Sequence, residues 1–212
     1  MKQPQHLLIR LLSDSHFGMG AGTAGLVDRE IDHDEYGMPI INGKSIHGLL
    51  KDSWLTMHKH FPELISAAKR ILGEPKLHQD SAILHISNAT LPLEISKIIK
   101  TAILRKDHPL TPDMILDVFT DIRIQTSQNR ENGAPAKETL HSIRVLTRGI
   151  ILRSELNWLV IPNSDDIKVL SLMLLGTRHA GLERNRGLGL VELSLDGNLD
   201  ETIRATEVSN AN

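Results

Sequence analysis

The chain has 212 residues, a formal net charge of −2 and 40% hydrophobic residues, which is typical of one soluble globular domain. It contains no cysteine, and this excludes disulfides, thiol catalysis and cysteine-ligated zinc or iron–sulfur sites, so we expect no zinc. Two Trp, one Tyr and three Phe are too few for a sheet that stacks RNA bases on aromatic rings. No apolar run reaches the roughly 20 residues of a membrane helix. We expect a cytoplasmic protein.

The first third of the chain predicts a strand, two irregular loops and two helices. Residues 6–17 form a Leu-rich strand candidate, followed by a glycine-rich stretch over 18–25 and an acidic, non-periodic stretch over 27–37. Apolar residues at near-helical spacing predict a helix over 44–61. A second helix over 62–72 begins with proline and ends before a glycine, as helices commonly do.

The rest of the chain predicts further strands and helices joined by polar turns. An Asn132-Gly133 pair inside a turn over 129–137 is a strong hairpin signal. The predicted elements are strands over 81–89, 121–128, 140–156, 157–161 and 190–195, helices over 93–104, 112–119 and 165–175, and a glycine-rich loop over 176–189. This order predicts an α+β fold with a ferredoxin-like antiparallel sheet. We expect one domain over 1–196, with an insertion around 121–150 and a frayed polar tail over 197–212.

Local charge is more informative than net charge. Residues 1–40 carry a balance of −3, whereas residues 121–153 carry +3 and residues 176–190 carry +2. The sequence therefore predicts an acidic N-terminal loop and two basic loop regions. Ordinary solvated surfaces would show the same pattern.

Two glycine-containing motifs partly resemble nucleotide-binding loops, but neither matches the full pattern. Gly20, Gly22 and Gly25 have the spacing of a dinucleotide fingerprint, but no helical pattern follows them and carboxylates crowd the region where a pyrophosphate would sit. Lys44 and Ser45 open a helix after Gly43, but the upstream spacing is wrong for a P-loop. The helix start is still a generic site for phosphate oxygens, although Ser45 could equally serve only to cap the helix.

Four segments form a recognisable combination of motifs: the first strand ending in Ser15-His16-Phe17-Gly18, the Gly25-Leu-Val-Asp28 segment, the run from Gly37 to Lys51 that opens a helix, and the loop Gly176 to Gly189. This combination resembles the RAMP superfamily of CRISPR-associated proteins, above all the small backbone subunits of type III effector complexes. The resemblance covers most of the chain. It implies a ferredoxin-like (RRM-like) core, several copies lined up along a guide RNA (crRNA), neighbouring effector subunits, and a β-hairpin thumb that flips out nucleotides of a complementary target RNA.

The resemblance also implies an endoribonuclease site. Asp28 occupies the position of the aspartate that cleaves target RNA in type III backbone subunits, with a divalent metal (Mg²⁺ or Mn²⁺) required only if the chain is catalytic. An acidic loop with Asp28, Asp32 and Asp34 offers a base or a metal ligand. The zinc-binding insertion of many relatives cannot be present in its usual form without cysteine.

RNA-binding residues are predicted from the same motifs. Glycine allows RNA to approach the backbone, and guanidinium and ammonium groups bind phosphates. The candidates are Gly20, Gly22, Lys44, Ser45, His47, Lys51, Arg123, Arg130, Lys137, Arg144, Arg178, Arg184, Arg186, Gly187 and Gly189.

Several functions remain open from the residues. Asp28 is equally compatible with a plain loop carboxylate in a non-catalytic RNA scaffold whose complex relies on a separate nuclease. A stand-alone endoribonuclease that processes guide RNA would use histidines such as His16, His47 or His179 as acid–base groups. A small-molecule phosphate-binding enzyme is the alternative outside RNA.

Overall fold

A computed structural model describes residues 3–18, 20, 27–73, 81–105, 107, 109–128 and 135–207, with the side chains of 126–128 and 135–140 outside the description. The predicted sites Gly22 and Arg130, the Asn132-Gly133 turn and the side chain of Lys137 therefore lie outside the described residues. Within the described part, no helix is both long enough and apolar enough to span a bilayer.

Four antiparallel strands form the main sheet, in the order β2-β5-β1-β6. The strands are β1 (His6–Leu11), β2 (Leu84–Ile86), β5 (Ile151–Trp158) and β6 (Val191–Leu195). β1 lies in the centre, and its alternating Leu7, Ile9 and Leu11 are buried, as the period-two pattern of a strand requires. This strand order, with helices following β1 and β5, is the ferredoxin-like topology that the sequence predicts.

Three helices pack together against the sheet: α1 (Gly43–Met57), α2 (Ile65–Leu72) and α5 (Ser164–Gly176). Ile46, Leu50 and Trp54 of α1 recur every fourth residue and are buried in the core. α1 begins after Asn42, whose side chain accepts a 2.9 Å hydrogen bond from the Lys44 N–H. That bond satisfies one of the free donors at the helix start.

The insertion between β2 and β5 contains two helices and a separate hairpin. These elements are α3 (Leu93–Ile103), α4 (Pro112–Phe119), β3 (Thr120–Gln128) and β4 (Pro135–Leu146), with β3 and β4 paired antiparallel. The predicted strand over 140–156 is wrong, because a turn over 147–150 divides it between two sheets. Gly149 takes a φ of 90° there, and the second half of the predicted strand becomes the central strand β5.

The predicted frayed tail is wrong for part of its length. Residues Leu199–Glu207 form a helix, α6, which packs against α5 and β6. Thr202 is fully buried, and its hydroxyl accepts a 2.9 Å hydrogen bond from the Leu195 N–H. The segment contains few apolar residues, so its sequence does not indicate a buried helix. Only Thr202 and Ala205 of this helix are buried.

Candidate functional site

A cleft of about 610 Å³ lies beside the segment that follows β1. Its lining includes four segments that are distant in sequence: residues 16–18 after β1, the acidic loop, the first part of α1, and the loop at Gly181 and Leu182. Gly20, Asp28 and Ser45 are the sequence-predicted site residues that the fold brings together there. The segment after β1 and the first part of α1 therefore open onto one surface.

Asp28 is exposed and is held by the hairpin strand β4. Its Oδ2 atom accepts hydrogen bonds from the Ser142 backbone N–H at 2.7 Å and from the Ser142 hydroxyl at 3.0 Å. The Asp28 N–H in turn donates to the Ser142 backbone oxygen at 3.0 Å. The backbone bond and then the hydroxyl bond hold the pKa of Asp28 below its usual range, because both donors stabilise the ionised form. Asp28 is thus an ionised carboxylate at a fixed position on the cleft.

Other acidic side chains around Asp28 differ in their surroundings. Asp32 and Asp52 line the cleft, and sequence reasoning did not single out Asp52. Asp34 has a structural role instead, since its Oδ1 accepts the N–H groups of Tyr36 and Met38 at 2.9 Å each. Asp34 therefore shapes the turn of the acidic loop, and it does not line the cleft.

The described residues around Asp28 do not by themselves form a complete metal site. Among the residues that the structure describes, no group of three or more His, Asp or Glu side chains is placed to hold a metal ion. Mg²⁺ commonly binds one or two carboxylates together with substrate phosphates, so Asp28 on its own is an incomplete ligand set.

Arg144 anchors the acidic loop to the hairpin. Its side chain is 4% exposed and lies 2.9 Å from Glu30 Oε1, with further contacts to Asp117 at 3.1 Å and to the Thr120 hydroxyl at 3.0 Å. The prediction of Arg144 as an RNA-binding residue came from its place in the basic region that flanks the predicted hairpin. Its burial against Glu30 does not support that prediction.

The same residue also orients a histidine of the cleft. The His16 Nδ1 atom donates a 2.7 Å hydrogen bond to the backbone oxygen of Arg144, since a carbonyl only accepts. The other ring nitrogen, Nε2, lies beside Gly18, and a Cβ on residue 18 would come within 2.6 Å of it. His16 is 1% exposed, so it is a buried wall of the cleft.

The glycine-rich loop closes the cleft because two of its glycines lie against neighbouring backbone. Gly181 has a φ of 85°, and a Cβ there would come within 2.4 Å of the His16 backbone oxygen. Gly189 has a φ of 80° and is buried, and a Cβ there would come within 2.2 Å of the Ala180 oxygen. Gly189 thus shapes the loop, whereas Gly187 is exposed.

A smaller groove of about 230 Å³ adjoins the cleft and shares Leu49 and Asp52 with it. Arg178, His179 and Arg184 line this groove, and all three are exposed. The acidic cleft with Asp28 therefore continues into a groove with two arginines. The two adjacent cavities therefore differ in charge.

The remaining predicted RNA-binding residues lie outside the two cavities. Lys44 and Lys51 are exposed on α1, and His47 is half-buried with its ring 3.2 Å from the Leu72 oxygen. Arg123 is paired with Asp14, and Arg186 donates to the Gln125 side chain at 2.9 Å. Arg186 therefore connects the glycine-rich loop to β3. The charged side chains of Lys44 and Lys51 lie on the surface.

Comparisons with known proteins are consistent with this fold. The family model described as the RAMP superfamily matches residues 8–192. A chain from a cryo-EM structure of the Type III-B Cmr-beta bound to cognate target RNA superposes with a TM-score of 0.67 at 13% identity, over 95% of this chain and 99% of that chain. A chain from the apo state of Type III-B Cmr-beta gives 0.66 at 13% identity, over 92% and 98%. No curated protein matches the chain.

Proposed function

Because the chain belongs to the RAMP superfamily, we propose that it is a guide-RNA-binding backbone subunit of a type III CRISPR effector complex. Several copies lie along one guide, next to other effector subunits. The observation that carries the proposal is the acidic cleft with Asp28 that continues into the arginine-lined groove under the glycine-rich loop. The shared fold with chains of the Type III-B Cmr-beta complex, one of them bound to cognate target RNA, supports the same assignment.

In this proposal the arginine-lined groove holds RNA phosphates. Arg178 and Arg184 present charged donors at its surface, and a guanidinium binds phosphate oxygens through two N–H groups. Lys44 and Lys51 on α1 extend the positive surface. Phosphate contacts position the chain on RNA without reading sequence, as a subunit that must accept any guide requires.

In the catalytic form of the proposal, Asp28 cleaves target RNA. The hairpin β3–β4 serves as the thumb, and it holds Asp28 through Ser142. A flipped-out nucleotide brings its 2′-hydroxyl into line with the adjacent phosphate. Asp28 accepts the proton of that hydroxyl, the 2′-oxygen attacks phosphorus, and the 5′-oxygen leaves and is protonated by water. The products are a 2′,3′-cyclic phosphate and a 5′-hydroxyl.

RNA binding is tested on purified chain with its native partner subunits. We expect discrete guide-length RNAs to co-purify, and Arg178→Ala with Arg184→Ala to weaken binding strongly at physiological salt, since phosphate contacts dominate affinity. Arg10→Ala, at an exposed arginine on β1 that lines neither the cleft nor the groove, is the matched control. A complex that contains no RNA and binds none contradicts the proposal.

Cleavage is tested with Asp28→Asn in the assembled complex. This variant keeps the size of the side chain and removes the base, so we expect loss of target cleavage with guide binding unchanged. Asp113→Asn, an exposed carboxylate at the start of α4, should cleave normally. Undiminished cleavage by Asp28→Asn refutes the catalytic role while leaving RNA binding intact.

A non-catalytic scaffold is the second candidate function. It is favoured by the absence of a three-donor metal cluster among the described residues and by the exposure of Asp28 at the rim of the cleft. A wild-type complex that binds target RNA and leaves it uncut, with and without Mg²⁺ or Mn²⁺, identifies the scaffold.

A further inference from the structure

Arg29 is the one exposed basic residue of the cleft within the described part of the chain. It directly follows Asp28 and lines the same cavity, although the sequence motifs did not single it out. Its side chain is 55% exposed. His16, the other basic residue of the described lining, is 1% exposed. The cleft therefore has a guanidinium that a bound ligand can contact.

The hairpin strand β4 holds the backbone of Asp28 and Arg29 together. Both N–H groups donate to the Ser142 backbone oxygen, at 3.0 and 3.2 Å, and the Arg144 N–H donates to the Arg29 backbone oxygen at 3.0 Å. Arg29 thereby pairs with Ile143 in a short parallel bridge. A carboxylate and a guanidinium on adjacent residues share this support, so the spacing of their backbones is fixed.

Glu183 of the glycine-rich loop limits where the Arg29 side chain can lie. The Arg29 Nη1 donates to the Glu183 Oε1 at 3.4 Å, and the Glu183 side chain is 16% exposed. Glu183 has a φ of 57°, in the left-handed region that residues with a Cβ seldom adopt. Its loop is anchored to the cleft wall, because the Leu182 N–H donates to the His16 backbone oxygen at 2.9 Å. The guanidinium is therefore held beside the cleft by a carboxylate on an anchored loop.

Most of the hydrogen-bonding capacity of the Arg29 side chain is left over. A guanidinium carries several N–H donors in a planar fork, and within the described residues that of Arg29 donates only to Glu183. Arg186, which also lies beside Glu183, donates in addition to the Gln125 side chain at 2.9 Å. The remaining donors of Arg29 can therefore bind an anion that enters the cleft while the contact with Glu183 persists.

The charge of the cleft shows why a reacting phosphate needs such a group. Asp28, Asp32 and Asp52 line the cleft, whereas Glu30 is paired with the buried Arg144 at 2.9 Å. A phosphodiester is already an anion, and attack by a 2′-oxygen places further negative charge on its non-bridging oxygens. Among carboxylates this charge is unfavourable unless a cation with directed N–H groups lies next to the phosphate.

We propose that Arg29 is a further catalytic residue of target RNA cleavage and that it binds a non-bridging oxygen of the scissile phosphate. Asp28 takes the proton of the 2′-hydroxyl, and the 2′-oxygen bonds to phosphorus. Negative charge then gathers on the non-bridging oxygens, and the N–H groups of Arg29 stabilise it until the bond to the 5′-oxygen breaks. Arg29 gives up no proton, and Glu183 is a positioning residue that orients it. The inference rests on the catalytic form of the proposed function and adds the group that neutralises the phosphate.

The role is tested in the assembled complex, by single-turnover cleavage at saturating target RNA. Arg29→Ala should lower the cleavage rate constant by about 10²-fold or more, as does removal of one donor to a developing anion in other enzymes. A target with a 2′-deoxynucleotide at the cleaved position cannot react, and its Kd should change by about threefold or less, because the contact is made mainly in the transition state. Arg29→Lys should lie between, since it keeps the charge and loses the fork. Arg10→Ala, outside both cavities, is the matched control and should cleave as wild type does.

Phosphorothioate targets distinguish a contact with the phosphate from a structural role. Sulfur in place of a non-bridging oxygen accepts a hydrogen bond poorly, so one diastereomer should slow cleavage by the wild-type complex. In Arg29→Ala the same sulfur should have little further effect, because the contact is already lost and the two changes are then non-additive. Glu183→Gln keeps an acceptor and removes the orienting charge, so it should lose less rate than Arg29→Ala and keep the wild-type response to sulfur. An unchanged rate in Glu183→Gln would remove Glu183 from the positioning role.

The same measurements separate this inference from the proposed function. Cleavage by Arg29→Ala within about threefold of wild type, or losses from the variant and from sulfur that simply add, would overturn the role of Arg29 alone. A loss of binding to the 2′-deoxy target as large as the loss of rate would make Arg29 a binding residue and reject the catalytic assignment. A wild-type complex that binds target RNA and leaves it uncut refutes this inference together with cleavage, while guide binding stands. If Arg29→Ala loses cleavage and Asp28→Asn does not, the role of Arg29 stands and that of Asp28 fails.

Discussion

Arg144→Met removes the cation that balances a buried carboxylate. The Arg144 and Glu30 side chains are 4% and 7% exposed and lie 2.9 Å apart. Removal of one partner of a buried pair costs about 3–5 kcal/mol, because the remaining charge stays buried. The Asp117 carboxylate is 72% exposed, and its contact with Arg144 adds little, as is usual for exposed pairs.

The loss is measured by urea unfolding and by thermal denaturation. For a chain of this size each kcal/mol corresponds to about 2–4 °C in Tm, so Arg144→Met should melt roughly 6–20 °C below wild type. Arg10→Met is the matched control, because the Arg10–Glu192 pair is exposed and 3.8 Å long. We expect this control to lose about 1 kcal/mol or less.

The double variant Glu30→Leu with Arg144→Met separates the charge from the packing. Both buried charges are then replaced by apolar groups, a change that is often neutral or stabilising. We expect the double variant to recover most of the stability that Arg144→Met loses. If Arg144→Met is no less stable than Arg10→Met, or if the double variant is less stable than Arg144→Met, the reasoning about the buried pair is wrong.

Three further outcomes follow from the site. Ser142 lowers the pKa of Asp28 through its backbone N–H and its hydroxyl. Because cleavage requires the ionised carboxylate, the cleavage rate should fall as the pH drops through that lowered pKa. Ser142→Ala should move this fall to higher pH and Ser142→Thr should restore the wild-type profile, so an unchanged pH–rate profile in Ser142→Ala would contradict the assignment. Gly37→Ala should destabilise the acidic loop, because φ is +77° and a Cβ would come within 2.0 Å of the Pro112 oxygen, whereas Gly149→Ala, at φ +90° with nothing within 4 Å, should cost less; equal losses in urea unfolding would count against the packing argument. Arg178→Ala should reduce the slope of log K against log salt for single-stranded RNA by about 0.7, and an unchanged slope would remove Arg178 from the phosphate contacts.

Local pattern determined most of the secondary structure. The Leu-rich pattern over 6–17 predicts the first strand, and apolar residues at helical spacing over 44–61 predict α1, because a strand or an amphipathic helix needs only its own periodicity to define its buried side. The order of these elements, combined with the family motifs, was enough to predict the ferredoxin-like sheet. The sequence pattern did not predict α6, because that segment has weak periodicity. It also did not predict the boundary between β4 and β5, because only a short turn separates these two strands.

The sequence also determined which residue types the site contains, but their arrangement depends on tertiary structure. Asp28 and Ser142 lie 114 residues apart, and no local pattern relates a loop carboxylate to a serine on a hairpin. Arg144 has the charge of an RNA-binding residue, but the packing of α4 and the acidic loop around β4 buries it against Glu30. Periodicity reports which side of one element is covered, whereas the partners of a polar side chain depend on which elements meet, and that is decided only when the whole chain packs.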